Sequence, residues 1–294
     1  MGTSLDARAV KEAQRATWDS LSAGWAEARE VFERGAAVVT GRLLDLGGVG
    51  PGQSVLDVGT GLGEPALSAA RRVGRTGRVV ATDISPEMLR IARRRAAGLG
   101  PVAADVEFTE ADVEAQGFPP GSFDVVLSRW GLMFAVDHVA AFTGLRRVLR
   151  PGGVLAAAVW GPAADAPVMA LGFASLSSVL DLPPLAPGTP GPFSMSDPED
   201  LTRELRAAGF TGVSIEETRV PFEFESVGAY VAFTRAVTPP FLLARIRERY
   251  GSPDAGEAWS AVESAVARFR TRSDGVQIPS AVLCVRAANP EDDR

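Results

Sequence analysis

The segment from Val55 to Gly63, VLDVGTGLG, constrains the fold of this chain more than any other. Its apolar start reads as a buried strand. The glycines at 59, 61 and 63 free the backbone for positive φ and for close approach just before a helix. A strand running through a glycine loop into a helix opens a βαβ unit, which commits the chain to a parallel sheet covered by helices.

The rest of the sequence supplies such a sheet. Apolar runs recur at Ser54 to Val58, Arg78 to Asp83, Val106 to Asp112 and Phe123 to Ser128. Between them, Glu64 to Val73 and Pro86 to Ala97 have helical spacing, with Ser85 placed to cap the second helix and Pro86 at its first position. A helix over Val139 to Leu149 ends at LRPGG, where the glycine pair turns the chain into a fifth strand, Val154 to Trp160. A helix over Pro198 to Ala208, a strand at Gly212 to Glu217 and a last strand at Ser280 to Arg286 complete seven strands. This predicts a core over 51–160, 198–220 and 276–288. A helical cap precedes it over 1–50, where Leu5 to Leu46 looks helical, and insertions over 161–197 and 221–275 serve as lids. In the later insertion, Val262 to Arg272 reads as an amphipathic surface helix.

The chemistry lies at the strand ends. A dinucleotide fingerprint, G-x-G-x-x-G, would need its third glycine at position 64, which is Glu64. Asp57 sharpens the distinction, because a carboxylate at the end of the first strand repels a pyrophosphate and suits an ammonium group. S-adenosylmethionine carries such an ammonium. Asp83 lies about twenty residues past the loop, the spacing at which an acid accepts from ribose hydroxyls. Asp112 ends the third run, where it can accept from an adenine amino group while Ala111 and Val113 offer backbone groups.

The successive stretches VLDVGTGLGEPAL, VVATDISPEML, EADVE, FDVVLSRWGLMFAVD and LRRVLRPGGVL resemble, in order, the motifs of class I S-adenosylmethionine-dependent methyltransferases, nearest to the ubiquinone/menaquinone biosynthesis branch. The resemblance covers Ser54 to Trp160. It implies an α/β, doubly wound, Rossmann-like, seven-stranded sheet, mostly parallel with an antiparallel last strand. It also implies that Asp57, Gly59, Thr60 and Gly61 hold the methionine end of the cofactor and Asp83 its ribose. Ile84 and Met88 would cover one face of the adenine, with Ala111, Asp112 and Val113 at its edge. Ser128 would turn its carbonyl to the α-amino group, with Arg129 and Trp130 starting the loop toward substrate. The leading WDSLSAGWAEA resembles the helices that close over cofactor in such enzymes, which puts Trp25 at the ligand, although a Trp there serves equally as core.

Methyl transfer from a sulfonium needs an aligned nucleophile and, for some acceptors, a base. His138, the only histidine, is the candidate base; with Asp137 capping the next helix it would instead sit exposed in that helix's first turn. Met133, Phe134, Phe193 and Tyr230 are the candidate acceptor contacts, drawn from aromatic and aliphatic residues that would also simply pack the lids. They favour a small apolar or aromatic acceptor, methylated on oxygen, nitrogen or carbon, with S-adenosylhomocysteine as the other product. An NAD-dependent oxidoreductase and a protein using the cofactor for a non-methylating reaction are the rivals.

The net charge of -6 provides no field for nucleic acid or an anionic membrane. The Arg93 to Arg95 cluster reads as a solvated helix face. One cysteine and one histidine are too few for a Cys/His metal cluster, and Cys284 lies in a strand pattern that reads as buried. Charged residues among the first twenty leave no room for a secretory signal, so a cytoplasmic monomer or homodimer without a membrane span is expected.

Overall fold

The computed structural model describes residues 6–100, 102–184, 186 and 188–291, so Leu5 of the expected leading helix lies outside the described residues. Seven strands form one sheet: β1 (Ser54–Val58), β2 (Arg78–Asp83), β3 (Val106–Glu110), β4 (Phe123–Arg129), β5 (Leu149–Trp160), β6 (Thr211–Phe224) and β7 (Val276–Ala288). Their order is β3-β2-β1-β4-β5-β7-β6, parallel through β5, with β7 antiparallel to both its neighbours. This is the expected α/β sheet with an antiparallel last strand. Val55 to Val58 and Phe123 to Ser128 are buried without alternation, as strands covered on both faces must be.

From β1 the chain winds outward to β2 and β3, then returns to place β4 on the other side of β1. Connections leave β1 and β4 in opposite directions, which opens a crevice at their carboxyl ends where open α/β sheets bind ligands. The helices around it are α2 (Ala66–Val73), α3 (Pro86–Ala96) and α4 (His138–Val148). Ser85 caps α3 by accepting from the Met88 N–H, and Asp137 caps α4 by accepting from Ala140.

The first helix, α1 (Ala7–Leu46), is 40 residues long, or about 60 Å. Its later turns bury Ala36, Val39 and Leu43 in the core. Its earlier turns reach the ends of three strands: Arg15 pairs with Glu110 at β3, Asp19 accepts from Ser85 Oγ at 2.5 Å beyond β2, and Glu33 pairs with Arg129 on β4. The insertions contribute α5 (Pro167–Val179) before α6 (Pro198–Ala207), then α7 (Val227–Ala236), α8 (Pro240–Tyr250) and α9 (Gly256–Val266) between β6 and β7. Among the described residues no single helix is long and apolar enough to cross a membrane.

Several boundaries differ from the sequence reading; β7 runs Val276–Ala288 where the sequence predicts Ser280 to Arg286, and β3 ends at Glu110, two residues before Asp112. The helix expected from Glu64 starts at Ala66, because the chain stays in turns around the loop and Asp57 Oδ2 accepts the Ala66 N–H at 3.0 Å. LRPGG is part of β5, held by Asn289, whose side chain donates to the Leu149 and Arg150 carbonyls at 3.0 Å. β6 runs to Phe224 because β7 pairs with it that far. The surface helix expected over Val262 to Arg272 is instead α9, whose buried face of Ala258, Trp259, Val262 and Val266 is set one turn earlier by Trp259 donating to the Pro253 carbonyl.

Candidate functional site

The glycine loop sits in the crevice with its conformation tightly determined. Gly59 has φ +68, and a Cβ on it would lie 2.9 Å from the Gly131 Cα. The reciprocal holds: a Cβ on Gly131 would lie 2.9 Å from the Val58 carbonyl oxygen. Two backbones, from the ends of β1 and β4, therefore touch where only glycine fits. Gly131 was not singled out from sequence, although a glycine right after strand 4 is the available signal. Beside it Trp130 has φ +59, a strained conformation for a bulky residue and of the kind that collects at functional sites.

Asp57 is completely buried at the end of β1. Oδ2 takes the Ala66 N–H, while Oδ1 has no partner among the described residues. Burial, opposed by the neighbouring Thr60 hydroxyl, the Ala66 N–H and the Arg129 charge, pushes its carboxyl up to about 7. Asp83 accepts from Gly61 N at 2.8 Å through Oδ2 and from Ser85 N at 2.9 Å through Oδ1, so it staples the loop to the turn after β2. Burial raises it to about 6 against those two hydrogen bonds.

A raised carboxyl pKa makes folding proton-linked. Between its ordinary value of 3.8 and about 7, folded Asp57 keeps a proton that the unfolded chain releases. The contribution is complete below 3.8 and is lost as the pH rises through about 7. Asp57→Asn should therefore gain stability over the parent by a few kcal/mol between pH 4 and 8, since each tenfold change in proton affinity is worth roughly 1.4 kcal/mol. Urea denaturation of both proteins across that range measures it; a pH-independent difference would contradict the raised carboxyl.

Orphaned polar atoms gather here. Among the described residues, seven buried side-chain nitrogens and oxygens lack a hydrogen-bond partner, and five of them are Trp25 Nε1, Asp57 Oδ1, Thr60 Oγ1, Arg129 Nε and Trp130 Nε1. Trp25 joins the group through Phe32, whose ring centroid is 5.3 Å from Trp25 and 5.2 Å from Trp130. An unsatisfied buried group costs about 1–3 kcal/mol, so this concentration suits a polar ligand. Asp57 Oδ1 is an acceptor fit for an ammonium group; the residues present fit the methionine end of S-adenosylmethionine.

Beyond β3, Ile84 and Asp112 line a cavity of about 360 Å³ together with Ala7, Arg8, Lys11, Glu12 and Arg15 of α1. Met88 lies buried beneath, at the start of α3. The Asp112 carboxylate is already engaged: Oδ1 accepts from Glu114 N at 2.9 Å and Oδ2 from Lys11 Nζ at 2.7 Å. Lys11 also pairs with Glu114 at 3.0 Å, and this double partnership raises its ammonium against burial. The Ala111 N–H is spent on the Asp83 carbonyl, so only the Ala111 carbonyl remains for a ligand. Val113 is partly buried against the core.

At the end of β4, Ser128 Oγ donates to the Val58 carbonyl at 2.7 Å and fixes the spacing of the two central strands. Arg129, expected to start a loop toward ligand, is held by α1: Nη1 donates to Glu33 Oε2 at 2.9 Å and to Thr40 Oγ1 at 2.8 Å, and Nη2 pairs with Glu33 Oε1. Only its Nε remains free. Trp130 stacks on Trp160 with centroids 4.5 Å apart. Of the solvated face expected of Arg93 to Arg95, Arg93 and Arg94 are exposed, Arg93 also donating to the Phe108 carbonyl at 2.9 Å, whereas Arg95 is half-buried and reaches back to the Leu62 carbonyl in the glycine loop.

On the acceptor side the outcome is mixed. Met133 is buried, and its carbonyl accepts from Gly191 N at 3.0 Å and Ser194 Oγ at 2.6 Å, docking the first insertion on the strand-4 loop. Phe134 packs edge-on to Trp18 with centroids 4.9 Å apart. Phe193 is partly buried in the same insertion. Tyr230 is fully buried, its hydroxyl donating to the Val168 carbonyl at 3.2 Å and raised to about 12 by burial, so it is core and not pocket wall. His138 is neither exposed nor free: Nδ1 faces Glu204 Oε2 at 3.0 Å and Nε2 faces Ser194 Oγ at 3.4 Å.

A family model described as a methyltransferase domain matches residues 55–153. Over 112 residues the chain is 40% identical to the ubiquinone/menaquinone biosynthesis C-methyltransferase UbiE of Enterobacter sp. (strain 638), covering 38% of this chain and 44% of that protein. Over 118 residues it is 42% identical to an uncharacterized protein of Mycobacterium bovis, covering 40% and 41% of the two. The chain thus spans less than half the length of these curated relatives. Among solved structures, the YcgJ protein of Bacillus subtilis superposes with TM-score 0.55 at 17% identity, covering 86% of this chain and 98% of that one. The [4+2]-cyclase SpnF superposes with TM-score 0.51 at 22% identity, covering 87% and 81%. These two structures speak for the fold. From Val55 to Gly153 the chain resembles class I S-adenosylmethionine-dependent methyltransferases, in the branch of the ubiquinone/menaquinone enzymes.

Proposed function

We propose that this protein binds S-adenosylmethionine across the carboxyl ends of β1 to β4 and transfers its methyl group to a small apolar or aromatic acceptor, leaving S-adenosylhomocysteine. The observation that carries the proposal is Asp57: a buried carboxylate beside a glycine loop, with one oxygen unpartnered among the described residues. A pyrophosphate would be repelled there, and Glu64 stands where a dinucleotide site needs its third glycine.

When bound, S-adenosylmethionine supplies a methyl group already activated on its sulfonium. The chain's own residues need only hold the cofactor, exclude water and align the acceptor. Asp57, Gly59, Thr60 and Gly61 serve the methionine end. Each Asp83 oxygen keeps a lone pair for ribose hydroxyls after taking its backbone N–H. Ile84, Met88 and Val113 offer apolar contact for the base. The indole N–H groups of Trp25 and Trp130, both without partners among the described residues, suit an acceptor molecule that bears oxygen.

The name of the Enterobacter relative makes a quinone-like ring the first acceptor to test. Tyr230 is buried with its hydroxyl on the Val168 carbonyl and offers no general base, while His138, oriented through Nδ1 by Glu204 at 3.0 Å, remains the candidate base for an acceptor that must lose a proton.

Methyl-labelled S-adenosylmethionine incubated with a panel of hydroxylated and quinone-like aromatics tests the proposal. The expected result is label in an organic product with equimolar S-adenosylhomocysteine. Tight cofactor binding with no label transferred to any acceptor would favour the non-methylating reading.

A further inference from the structure

His138 joins three separate pieces of the chain. It opens α4 just past the strand-4 loop, its Nδ1 faces Glu204 Oε2 of α6 at 3.0 Å, and its Nε2 faces Ser194 Oγ of the first insertion at 3.4 Å. Ser194 Oγ in turn donates to the Met133 carbonyl at 2.6 Å, just past Gly131, where the β1 and β4 loops touch. Asp137, the carboxylate next in sequence, is turned to the Ala140 N–H at 2.9 Å, so the ring takes its orientation from Glu204.

Counting protons gives this network a direction. A carboxylate only accepts, so Glu204 places the ring proton on Nδ1 and leaves Nε2 as a bare lone pair. The single Ser194 hydroxyl proton lies on the Met133 carbonyl, so none occupies the gap between Oγ and Nε2, and 3.4 Å is longer than a well-formed hydrogen bond. The network is one proton short at Nε2. With that proton added, both N–H groups of the imidazolium find acceptors, and Glu204 offsets the positive end of α4 on which the ring sits. A clip that only fastened the insertion would be served by an N–H at Nε2, and the neutral ring has none there.

We propose that Ser194, His138 and Glu204 form a proton relay for an acceptor that bears a hydroxyl group. This rests on the methyltransferase reading above and adds to it the atom that receives the proton. As the acceptor oxygen takes the methyl group, its O–H bond breaks and the proton passes to Ser194 Oγ, whose own proton turns from the Met133 carbonyl to Nε2. The resulting imidazolium is held by Glu204 and returns its proton to water, since the His138 side chain is 16% exposed. Ser194 touches the acceptor, beside the expected acceptor contacts Met133 and Phe193, whereas Glu204 acts through the ring as a positioning residue.

His138 is the only histidine, so its ring nitrogens can be read alone by NMR of the full chain carrying nitrogen-labelled histidine. In alkaline solution without ligand, the parent and Ser194→Ala are expected to carry the ring proton on Nδ1, and Glu204→Leu to shift it toward Nε2, the position a free histidine prefers. In the labelled-methyl assay, with circular dichroism to verify folding, Ser194→Ala and Glu204→Leu should each lower kcat for a hydroxylated aromatic by about 100-fold or more, with KM little changed. A nitrophenol, already ionised at pH 8, should be methylated by both variants at close to the parent rate. A ring proton on Nε2 in the parent, an unchanged tautomer in Glu204→Leu, or equal effects on the two acceptors overturns the relay while leaving the methyltransferase reading intact. A parent that transfers label to neither acceptor fails that reading, and the relay with it.

Discussion

Glu33→Gln is expected to destabilise the protein by about 3–5 kcal/mol, because it leaves the Arg129 guanidinium buried without a counter-charge. Arg129 is 7% exposed at its side chain and Glu33 22%, so neither is well solvated. The pair fastens α1 to the end of β4, and with it the helix whose earlier turns line the cavity beside Ile84 and Asp112. Removing both charges together, as Glu33→Leu with Arg129→Met, should restore most of the stability, since a matched apolar pair often replaces a buried ion pair at little loss. Urea denaturation of the parent and both variants measures this; a loss below about 1 kcal/mol in Glu33→Gln, the range of a surface pair, would mean that water reaches the contact.

The second large effect concerns the touching glycines. In Gly59→Ala the new Cβ meets the Gly131 Cα at 2.9 Å, and the residue must also hold φ +68. Neither neighbour is a flexible side-chain end, so the strands must separate. Gly131→Ala carries the clash with the Val58 carbonyl, at 2.9 Å, without a positive φ. Gly61→Ala carries only φ +54, with nothing within 4 Å. The expected order of destabilisation is Gly59→Ala, then Gly131→Ala, then Gly61→Ala, with about 1–2 kcal/mol for the last. Both clashing variants should weaken S-adenosylhomocysteine by about 5- to 150-fold, since overpacking of about 1–3 kcal/mol falls directly on the glycine loop. Equal stability of all three would mean that the β1 and β4 loops do not touch.

The sheet and the acidic strand ends were legible because they depend on local chemistry. A strand shows as an apolar run, Asp57 and Asp83 sit at the carboxyl ends of their strands, and Ser85 and Pro86 mark a helix start within a few residues. What escaped depends on partners far along the chain. Arg129 looked like a ligand residue until Glu33, 96 positions away, took its guanidinium. Arg95 looked solvated because nothing local shows that it reaches Leu62. Gly131 gains its meaning from Gly59 on another strand. Tyr230 marks a different limit: periodicity places it on an apolar helix face, and only the packed neighbours decide whether that face lines a pocket or fills the core. Asp112 is expected to end the third strand and lies two residues past it, and its salt bridge to Lys11 could not be seen before α1 was known to cross it.

A loop after β1 that selects an ammonium-bearing nucleoside over a pyrophosphate should show that preference directly in binding. Calorimetric titration of the intact protein with S-adenosylhomocysteine and, separately, with NAD at pH 8, where Asp57 is ionised, measures it. One S-adenosylhomocysteine per chain and no measurable NAD binding is the expected result; NAD bound with comparable affinity and displaced by S-adenosylhomocysteine, and so held at the same site, would contradict it.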